Sequence, residues 1–292
     1  MENKESLFEV SSFTYQDQGG NLAGVRLLKQ EEHLSTEQMQ LLANKLGYAE
    51  TAFVQPIASN EFKVRYFTPR TEVPLCGHAT IAAFCLLKKL EKLTTGEYSI
   101  HTQAGKLTIL LLEDGTVFME QALPVFYTEK LDYAAVARSL GIDVTDFSEE
   151  MPLKVVSTGL KDLMIPVKDT TILQAIKPNT REIEAISKKL AIIGYHVFVP
   201  AKTTIHCRNF APFVGIEEEY ATGTSNGALA CYLFQTTQRI GDASYIFKQG
   251  RLSSDQTGQI IVEISADNKK IKQVLVGGKA VISQNLSEVD QF

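Results

Sequence analysis

The sequence predicts an α+β fold of two pseudo-symmetric domains, each a mixed β-sheet or barrel wrapped around a central α-helix. Three observations support this prediction. The first is that the chain contains an internal repeat, and the second is that each copy leads into a glycine at the start of an almost wholly apolar helical segment. A third is that short strand-like segments outnumber helical ones. A helix that is apolar on all sides has to be buried, so a sheet is expected to surround each of the two.

The two copies of the repeat align as follows. The first starts at Val64 and reads VRYFTPRTEVPLCGHATIAAFCLL, and the second starts at Cys207 and reads CRNFAPFVGIEEEYATGTSNGALACYLF. The repeat extends upstream to LGYAETAFVQP and IGYHVFVPA, and downstream to QAGKLTI and QTGQIIV. Three residues recur at constant spacing: Arg65, Phe67 and Pro69 match Arg208, Phe210 and Pro212. The chain is therefore expected to consist of two related halves of ordinary domain size.

Alternating or β-branched runs predict strands, and amphipathic patterns predict surface helices. The predicted strands are Phe62–Phe67, Lys106–Leu112, Val117–Gln121, Lys154–Val156, His196–Val199, Gln259–Ile264 and Val274–Ile282. The predicted surface helices are Thr36–Leu46, Tyr133–Leu140 and Thr180–Leu190, and the two buried helices follow Gly77 and Gly223. A proline-containing connection near Gln121–Thr128 predicts an amino-terminal domain of residues 1–122, to which the tail 280–292 can return, and a carboxyl-terminal domain of residues 123–279.

The composition narrows the class of ligand. An apolar fraction of 44% and a charged fraction of 22% are those of a soluble globular protein. The net charge of −5, with no basic cluster interleaved with aromatic residues, favours a small molecule or a protein partner over nucleic acid or an anionic membrane. The start MENKESLFEV has charges where a signal peptide is apolar, and no apolar run reaches the ~20 residues of a membrane span, so a cytoplasmic location is expected.

The four cysteines form no CxxC pair and no Cys/His ligand spacing, so the sequence predicts no metal site. It also lacks GxGxxG, P-loop and HExxH motifs, so nothing in it indicates a nucleotide cofactor or a zinc hydrolase. The sequence does predict two helix N-termini, after Gly77 and Gly223. Their unpaired backbone N–H groups and helix dipoles favour a bound anion. If the halves face each other, a cleft that binds an anion is expected between them.

Glu50 is a single carboxylate among the strand-like residues of AETAFV. Burial raises the pKa of a carboxyl group, which suits it to general acid and base catalysis near neutral pH. The alternative is a structural glutamate that caps a helix or pairs with an arginine. Composition does not decide between the two roles.

His78 follows Gly77 at a predicted helix start, and Thr224 follows Gly223 at the matching place in the second half. An isolated histidine is more often structural, but this position would place the imidazole beside the predicted anion site. Glu217, Glu218 and Glu219 form an acidic run before Gly223, and such runs are commonly solvated. Glu219, the member nearest the turn, is the best candidate to point inward.

Cys76 raises a rival mechanism, racemisation by two thiols on opposite faces of a carbon. Its match in the second half is Thr222, and a hydroxyl cannot replace a thiolate base. Cys76 is therefore predicted to be a packed residue. Gly20 and Asn21 follow Gly19 in a cluster of turn-forming residues, for which a hairpin turn is the default interpretation.

With these residues in view, the chain resembles the PhzF-like family, the relatives of the phenazine-biosynthesis isomerase within the diaminopimelate-epimerase-like fold. The most specific likeness is FTPRTEVPLCGHATIAA, and AETAFV, GGNLAGV, VSTGLKDLMIPV and EEEYATGTSNGALACYL match in the expected order. The resemblance spans essentially the whole chain. It is specific for the family and much less so for the substrate.

The resemblance implies a homodimer of chains with two barrels each, and proton transfer without a cofactor or metal. In that mechanism Glu50 shuttles a proton between carbons, assisted by His78 and Glu219, and backbone groups around the two helix starts hold a substrate carboxylate. The substrate-binding residues it implies are Asn21, Gly77, Thr222, Gly223, Thr224 and Ser225.

The chain departs from the family pattern at several of these positions. Glu219 and Tyr220 stand where the family usually has Asp-Pro, Thr224 stands where serine is common, and Leu22 stands where proline is common. Isomerisation of the phenazine precursor is therefore not assumed. The sequence predicts an isomerase that moves a proton and a double bond on a small carboxylate-bearing metabolite. The alternatives are an amino-acid racemase or epimerase and a metabolite-binding protein without catalysis.

Overall fold

The computed structural model describes residues 6–251 and 257–286, which form eighteen strands and six α-helices. The strands are β1 (Leu7–Ser12), β2 (Asn21–Leu27), β3 (Thr51–Ala58), β4 (Glu61–Phe67), β5 (Glu72–Val73), β6 (Gly96–Thr102), β7 (Gly105–Leu111), β8 (Val117–Glu120), β9 (Val125–Phe126), β10 (Lys154–Ser157), β11 (Lys161–Pro166), β12 (Gly194–Val199), β13 (Thr204–Ala211), β14 (Ile216–Glu219), β15 (Ala243–Gln249), β16 (Gly258–Asp267), β17 (Lys270–Gly278) and β18 (Ala280–Asn285). The helices are α1 (Thr36–Leu46), α2 (Gly77–Lys89), α3 (Tyr133–Leu140), α4 (Thr170–Ala175), α5 (Thr180–Leu190) and α6 (Gly223–Thr236).

The chain divides into two compact units, Met1–Glu120 with Gly277–Phe292, and Gln121–Val276. None of the helices in the described part of the chain has the length and apolar character needed to cross a membrane. Gln256, the first residue of the downstream repeat, and residues 287–292 of the predicted tail lie outside the described residues.

The first unit is a mixed sheet around α2. Strand β1 pairs antiparallel with β18 and β2, and β2 runs parallel to β3. Strand β3 pairs antiparallel with β4, β4 runs parallel to β6, and β6, β7 and β8 continue in antiparallel order. Helix α2 packs against β1, β2, β3, β8 and β18. All residues of α2 from His78 to Leu87 are buried, as its apolar sequence predicts.

The second unit repeats this topology around α6. The antiparallel pair β10 and β11 is followed by the parallel pair β11 and β12, the antiparallel pair β12 and β13, the parallel pair β13 and β15, and the antiparallel pair β15 and β16. Helix α6 packs against β10, β11, β15 and β16. Helices α3, α4 and α5 add a second core around Leu140, Leu163 and Tyr195. The internal repeat of the sequence is thus a repeat of structure.

The helix ends separate two kinds of helix. The N-cap residues of the surface helices α1, α3 and α5 are Ser35, Asp132 and Asn179, and each accepts a hydrogen bond from the first turn through its side chain. The N-cap residues of the central helices are Cys76 and Thr222, and neither side chain caps its own helix. The N–H groups at both central helix starts therefore lack the usual side-chain acceptor.

The predicted strand Val274–Ile282 is wrong as a single element. The structure has two strands there, β17 and β18, separated at Lys279. Strand β17 itself runs across the boundary between the two units at Val276 and Gly277, and the break comes after it, at the exposed Lys279. Strand β18 then pairs with β1 of the first unit.

Candidate active site

The start of α2 gathers four polar side chains in the first unit. His78 lies in the first turn of α2 and is 7% exposed. Its Nε2 atom is 3.4 Å from Oε2 of Glu50. On the other side of the ring, Nδ1 is 3.4 Å from Nδ2 of Asn21 and 3.4 Å from Sγ of Cys76. The predicted residues Asn21, Glu50, Gly77 and His78 therefore belong to one cluster.

The sheet places Glu50 and Asn21 in this cluster. Glu50 directly precedes β3, and its carbonyl accepts a hydrogen bond of 3.1 Å from the N–H of Gly24 in the neighbouring parallel strand β2. Asn21 begins β2 after a turn at Gly19 and Gly20, whose φ angles are 67° and 81°. A Cβ atom at Gly20 would lie 2.1 Å from the carbonyl oxygen of Ser12, so the turn needs glycine there.

Burial controls the protonation of this pair. Burial raises the pKa of Glu50, and contact with Cys76 opposes part of that rise. Burial also lowers the pKa of His78 to about 4, opposed by a backbone contact at Leu22. Both shifts disfavour charge, so a neutral imidazole lies beside a carboxyl group that holds its proton more tightly than a free glutamate does. Such a carboxyl group can both give and accept a proton.

The low pKa of His78 predicts that acid destabilises the folded chain. Between pH 6.5 and 4 the imidazole is protonated in the unfolded chain and stays neutral in the folded chain. The free energy of unfolding therefore falls as the pH is lowered through this window. The loss of unfolding free energy across the whole window is about 3 kcal/mol. Glu50 acts in the opposite direction, because its raised pKa favours proton binding by the folded chain.

The effect of His78 is isolated by comparing the wild-type protein with His78→Gln, which cannot titrate. Urea unfolding at pH 7 and at pH 4 is expected to show a smaller loss of stability in the variant. His33→Gln, which removes an exposed imidazole, is the matched control and should keep the wild-type loss. Equal losses in the wild-type protein and His78→Gln would contradict burial of a neutral imidazole at this position.

The same cluster has the donor set of a metal site. Glu50, Cys76 and His78 each offer a ligand atom, and these atoms lie within 4.8 Å of one another. In the described part of the chain this is the one group of three such side chains with that spacing. Carboxylate oxygen, thiolate sulfur and imidazole nitrogen are the ligands of zinc. The cluster thus includes three ligand atoms close enough to one another to hold a metal ion.

The other predicted site residues lie in the second unit, at the start of α6. Thr222 precedes the helix, and its hydroxyl donates a hydrogen bond of 2.7 Å to Oε2 of Glu219. Ser225 is buried and donates 2.7 Å to Oδ2 of Asp162, a carboxyl group whose pKa burial raises to about 7. Gly223 and Thr224 form the first residues of α6. The structure brings Glu219 and Thr222 into contact, while the Ser225 hydroxyl faces the core.

The acidic run before Gly223 differs from the solvated run that the sequence predicts. Glu217 is exposed, but the Glu218 side chain is 11% exposed and binds the buried Arg208 through both carboxylate oxygens, at 2.7 and 2.9 Å. Glu219 is half-buried. The sequence does not reveal this pairing, because Arg208 and Glu218 meet only when β13 and β14 pair.

The repeat also shows that the two units are chemically unequal. In the strand registers, Arg65 lies opposite Phe53, and the matching Arg208 lies opposite Val197. Phe53 therefore matches Val197. Three residues earlier in each strand region, Glu50 matches Gly194. A Cβ atom at Gly194 would lie 2.2 Å from the carbonyl oxygen of Phe210, so no side chain fits there. The second unit therefore has no counterpart of Glu50.

The chain thus combines two repeated units, each built around a central helix, with an acid–histidine pair at the start of the first central helix. A match to the phenazine biosynthesis-like protein family, PhzC-PhzF, covers residues 10–285. The chain therefore belongs to that family. This confirms the resemblance drawn from the sequence motifs.

Individual relatives support the same assignment. The uncharacterized isomerase YddE of Escherichia coli K12 is 32% identical over 288 residues, which cover 96% of each chain. A PhzF-family phenazine biosynthesis protein of Bacillus anthracis has a solved structure with a TM-score of 0.85 at 28% identity, covering 96% of this chain and 97% of that one. A predicted epimerase of Pseudomonas aeruginosa shares the fold, with a TM-score of 0.75 at 22% identity and coverage of 96% and 97%.

These comparisons confirm the α+β epimerase-like fold. The relatives named as isomerases support an isomerase or epimerase kind of activity for this chain. The prediction that Cys76 is a packed residue is confirmed, because the side chain is buried. Cys76 is buried, yet its sulfur contacts His78, a contact that its position directly before Gly77 could have suggested.

Proposed function

We propose that this chain is a cofactor-independent isomerase that moves a proton, and with it a double bond, on a small carboxylate-bearing metabolite. The observation that carries the proposal is the Glu50 carboxyl group 3.4 Å from the neutral imidazole of His78, at the start of α2. The family relationship supports the reaction class. The substrate class rests on the backbone N–H groups at this helix start, which favour an anion.

In the proposed reaction Glu50 accepts a proton from a substrate carbon next to an electron-withdrawing group. The C–H bond breaks, its electron pair moves into the adjacent conjugated system, and the double bond shifts. Glu50 then returns the proton to another carbon, so atoms and electrons balance without an oxidant or reductant. His78 orients the carboxyl group and the substrate. Glu219, in the second unit, keeps the assisting role that the family resemblance implies.

Racemisation by two opposed bases fits the chain less well. A symmetric pair of bases at matching positions is not present, because Gly194 matches Glu50 and Thr222 matches Cys76. A hydroxyl with an ordinary pKa is a poor base for a carbon acid. The asymmetry of the two halves therefore favours one shuttling carboxylate.

A panel of small unsaturated acids and single-enantiomer amino acids, incubated with the protein in deuterated water, tests the proposal. Proton NMR and ultraviolet spectra should show deuterium incorporation together with double-bond migration in at least one unsaturated acid. Deuterium at an α-carbon with inversion of the centre would favour a racemase instead. Tight binding of panel acids with no exchange in any of them would favour a binding protein and overturn the proposal.

A further inference from the structure

A series of polar side chains connects the core of the second unit to Glu219. Its members come from four different elements and the turn before α6. They are His196 on β12, Asn209 on β13, Asn226 on α6, Gln249 at the end of β15, and Thr222. The first four are at most 2% exposed. Buried polar groups are costly unless they are hydrogen-bonded, so their partners are informative.

The hydrogen bonds in this series have a defined direction. Nδ2 of Asn209 can only donate, so Nδ1 of His196, 3.1 Å away, accepts. The proton of the neutral ring is then on Nε2, which donates to Oδ1 of Asn226 at 3.3 Å. Nδ2 of Asn226 in turn donates to Oε1 of Gln249 at 2.7 Å. The orientation of the Gln249 amide group is thereby fixed.

With its amide group held in this orientation, Gln249 hydrogen-bonds to the turn that contains Glu219. Its Nε2 atom donates to the hydroxyl oxygen of Thr222 at 2.9 Å and to the carbonyl oxygen of Glu219 at 2.6 Å. Its Oε1 atom also accepts from the N–H of Thr222 at 3.1 Å. Because the Thr222 oxygen already accepts from Gln249, its hydroxyl proton is directed to Oε2 of Glu219, 2.7 Å away.

The start of α6 supports a special use of this hydroxyl. A threonine before a helix ordinarily accepts a hydrogen bond from the first turn. Thr222 occupies this position, yet its side chain makes no such bond. The hydroxyl that would have capped the helix binds the Glu219 carboxylate instead.

We propose that Gln249 is a positioning residue for the predicted catalytic carboxylate of Glu219, acting through the hydroxyl of Thr222. The inference rests on the proposed function for the role of Glu219, and on hydrogen bonds within the second unit for everything else. It gives Thr222 a specific task, which is to hold Glu219 in one orientation. Gln249 carries no motif that would mark it in the sequence.

Gln249→Met, which keeps the length of the side chain and removes its hydrogen bonds, is the main variant. Turnover of the panel acid with the fastest exchange is expected to fall about 10- to 100-fold, the value of one lost hydrogen bond to a charged group, with KM changed less than about threefold. Thr222→Val should show a similar loss, and Thr222→Ser should restore turnover. The double variant should lose no more than either single variant, because both act on one hydrogen bond.

Gln55→Met is the matched control. Gln55 lies in the first unit, and its acceptors among the described residues are the backbone carbonyls of Lys29, Gln30 and Glu32. Its replacement should lower the unfolding temperature and leave turnover of the folded protein unchanged. If Gln249→Met also changes only the unfolding temperature, or if the losses of the double variant multiply, the positioning role is wrong. Thr222 is half-buried, so Thr222→Val serves alone if Gln249→Met does not fold.

A measurement without any substrate separates this proposal from the proposed function. The side-chain amide protons of Gln249, assigned by their loss in Gln249→Met, should exchange slowly with deuterium in the wild-type protein and faster in Thr222→Val. This result would stand even if no panel acid reacted, in which case the proposed function alone would fail. Fast exchange in the wild-type protein would overturn the hydrogen-bond series itself.

Discussion

Glu50→Gln is expected to lower turnover by about 10²- to 10⁴-fold, the usual contribution of a positioned general base. Glutamine has nearly the same shape and can still hydrogen-bond to His78, 3.4 Å from the present carboxylate oxygen. It cannot bind a proton from carbon and return it. Affinity for the substrate, measured by calorimetry, should therefore stay nearly constant while the chemical step slows.

The control for this prediction is Glu61→Gln in the same unit. Glu61 pairs with Lys106 and His101, and all three side chains are well exposed. Its replacement removes the same carboxylate chemistry from a place where no substrate is expected, so turnover should be unchanged. Unchanged turnover in Glu50→Gln would remove Glu50 from the mechanism.

Arg208→Met is expected to destabilise the second unit by about 3–5 kcal/mol, because it removes the buried partner of a nearly buried carboxylate. Glu218 then keeps only the exposed Arg251, 3.6 Å away, as a described ion-pair partner. The Arg208 side chain is 1% exposed and binds both oxygens of Glu218. It also donates to the carbonyls of Leu173 and Ile176, which end helix α4. Urea unfolding measures the loss, and adding Glu218→Gln should recover part of it by removing a carboxylate that has lost its buried partner.

The repeat supplies the matched control, Arg65→Met. Arg65 binds both oxygens of Glu72 at 2.7 Å and lies over Phe67, as Arg208 lies over Phe210. The Arg65 side chain is 21% exposed, and its third partner is the hydroxyl of Thr36. Its replacement should cost only about 1 kcal/mol, as for partly exposed ion pairs. Equal losses in the two variants would show that burial does not decide the strength of these pairs.

Much of the fold could be predicted from local pattern. The helices α1, α3 and α5 have the predicted bounds, because an amphipathic run and a capping residue together mark each start. The central helices were recognised because they lack a polar face. In contrast, helix α4 and ten of the described strands were not predicted: β1, β2, β3, β5, β6, β9, β11, β13, β14 and β15. Shortness explains only α4 and the two-residue strands β5 and β9, which contain less than two periods of any pattern.

The candidate site divides in the same way. Glu50 and His78 were marked by local context, an isolated carboxylate among strand residues and a histidine after a helix-opening glycine. Their contact depends on the packing of α2 against β3, which no local pattern encodes. Gln249 and Asn226 were not recognised as part of a site, because their connection joins the end of one strand to one turn of a helix.

The inequality of the two halves also needed the structure. The sequence aligns Arg65 with Arg208, but only the strand registers carry that alignment to Glu50 and Gly194. The close approach of the Phe210 carbonyl then explains why the second half has no side chain at this point. The two halves therefore share their topology, but only the first has a carboxylate at this position.

The central claim is that Glu50 itself carries the proton between substrate carbons. Its most direct test is the rate at which the folded protein introduces deuterium from the solvent into a bound panel acid, measured by proton NMR for the wild-type protein and for Glu50→Gln at equal occupancy. We expect exchange in the wild-type protein and at least about 10²-fold slower exchange in the variant. Exchange at the wild-type rate in Glu50→Gln would contradict the claim.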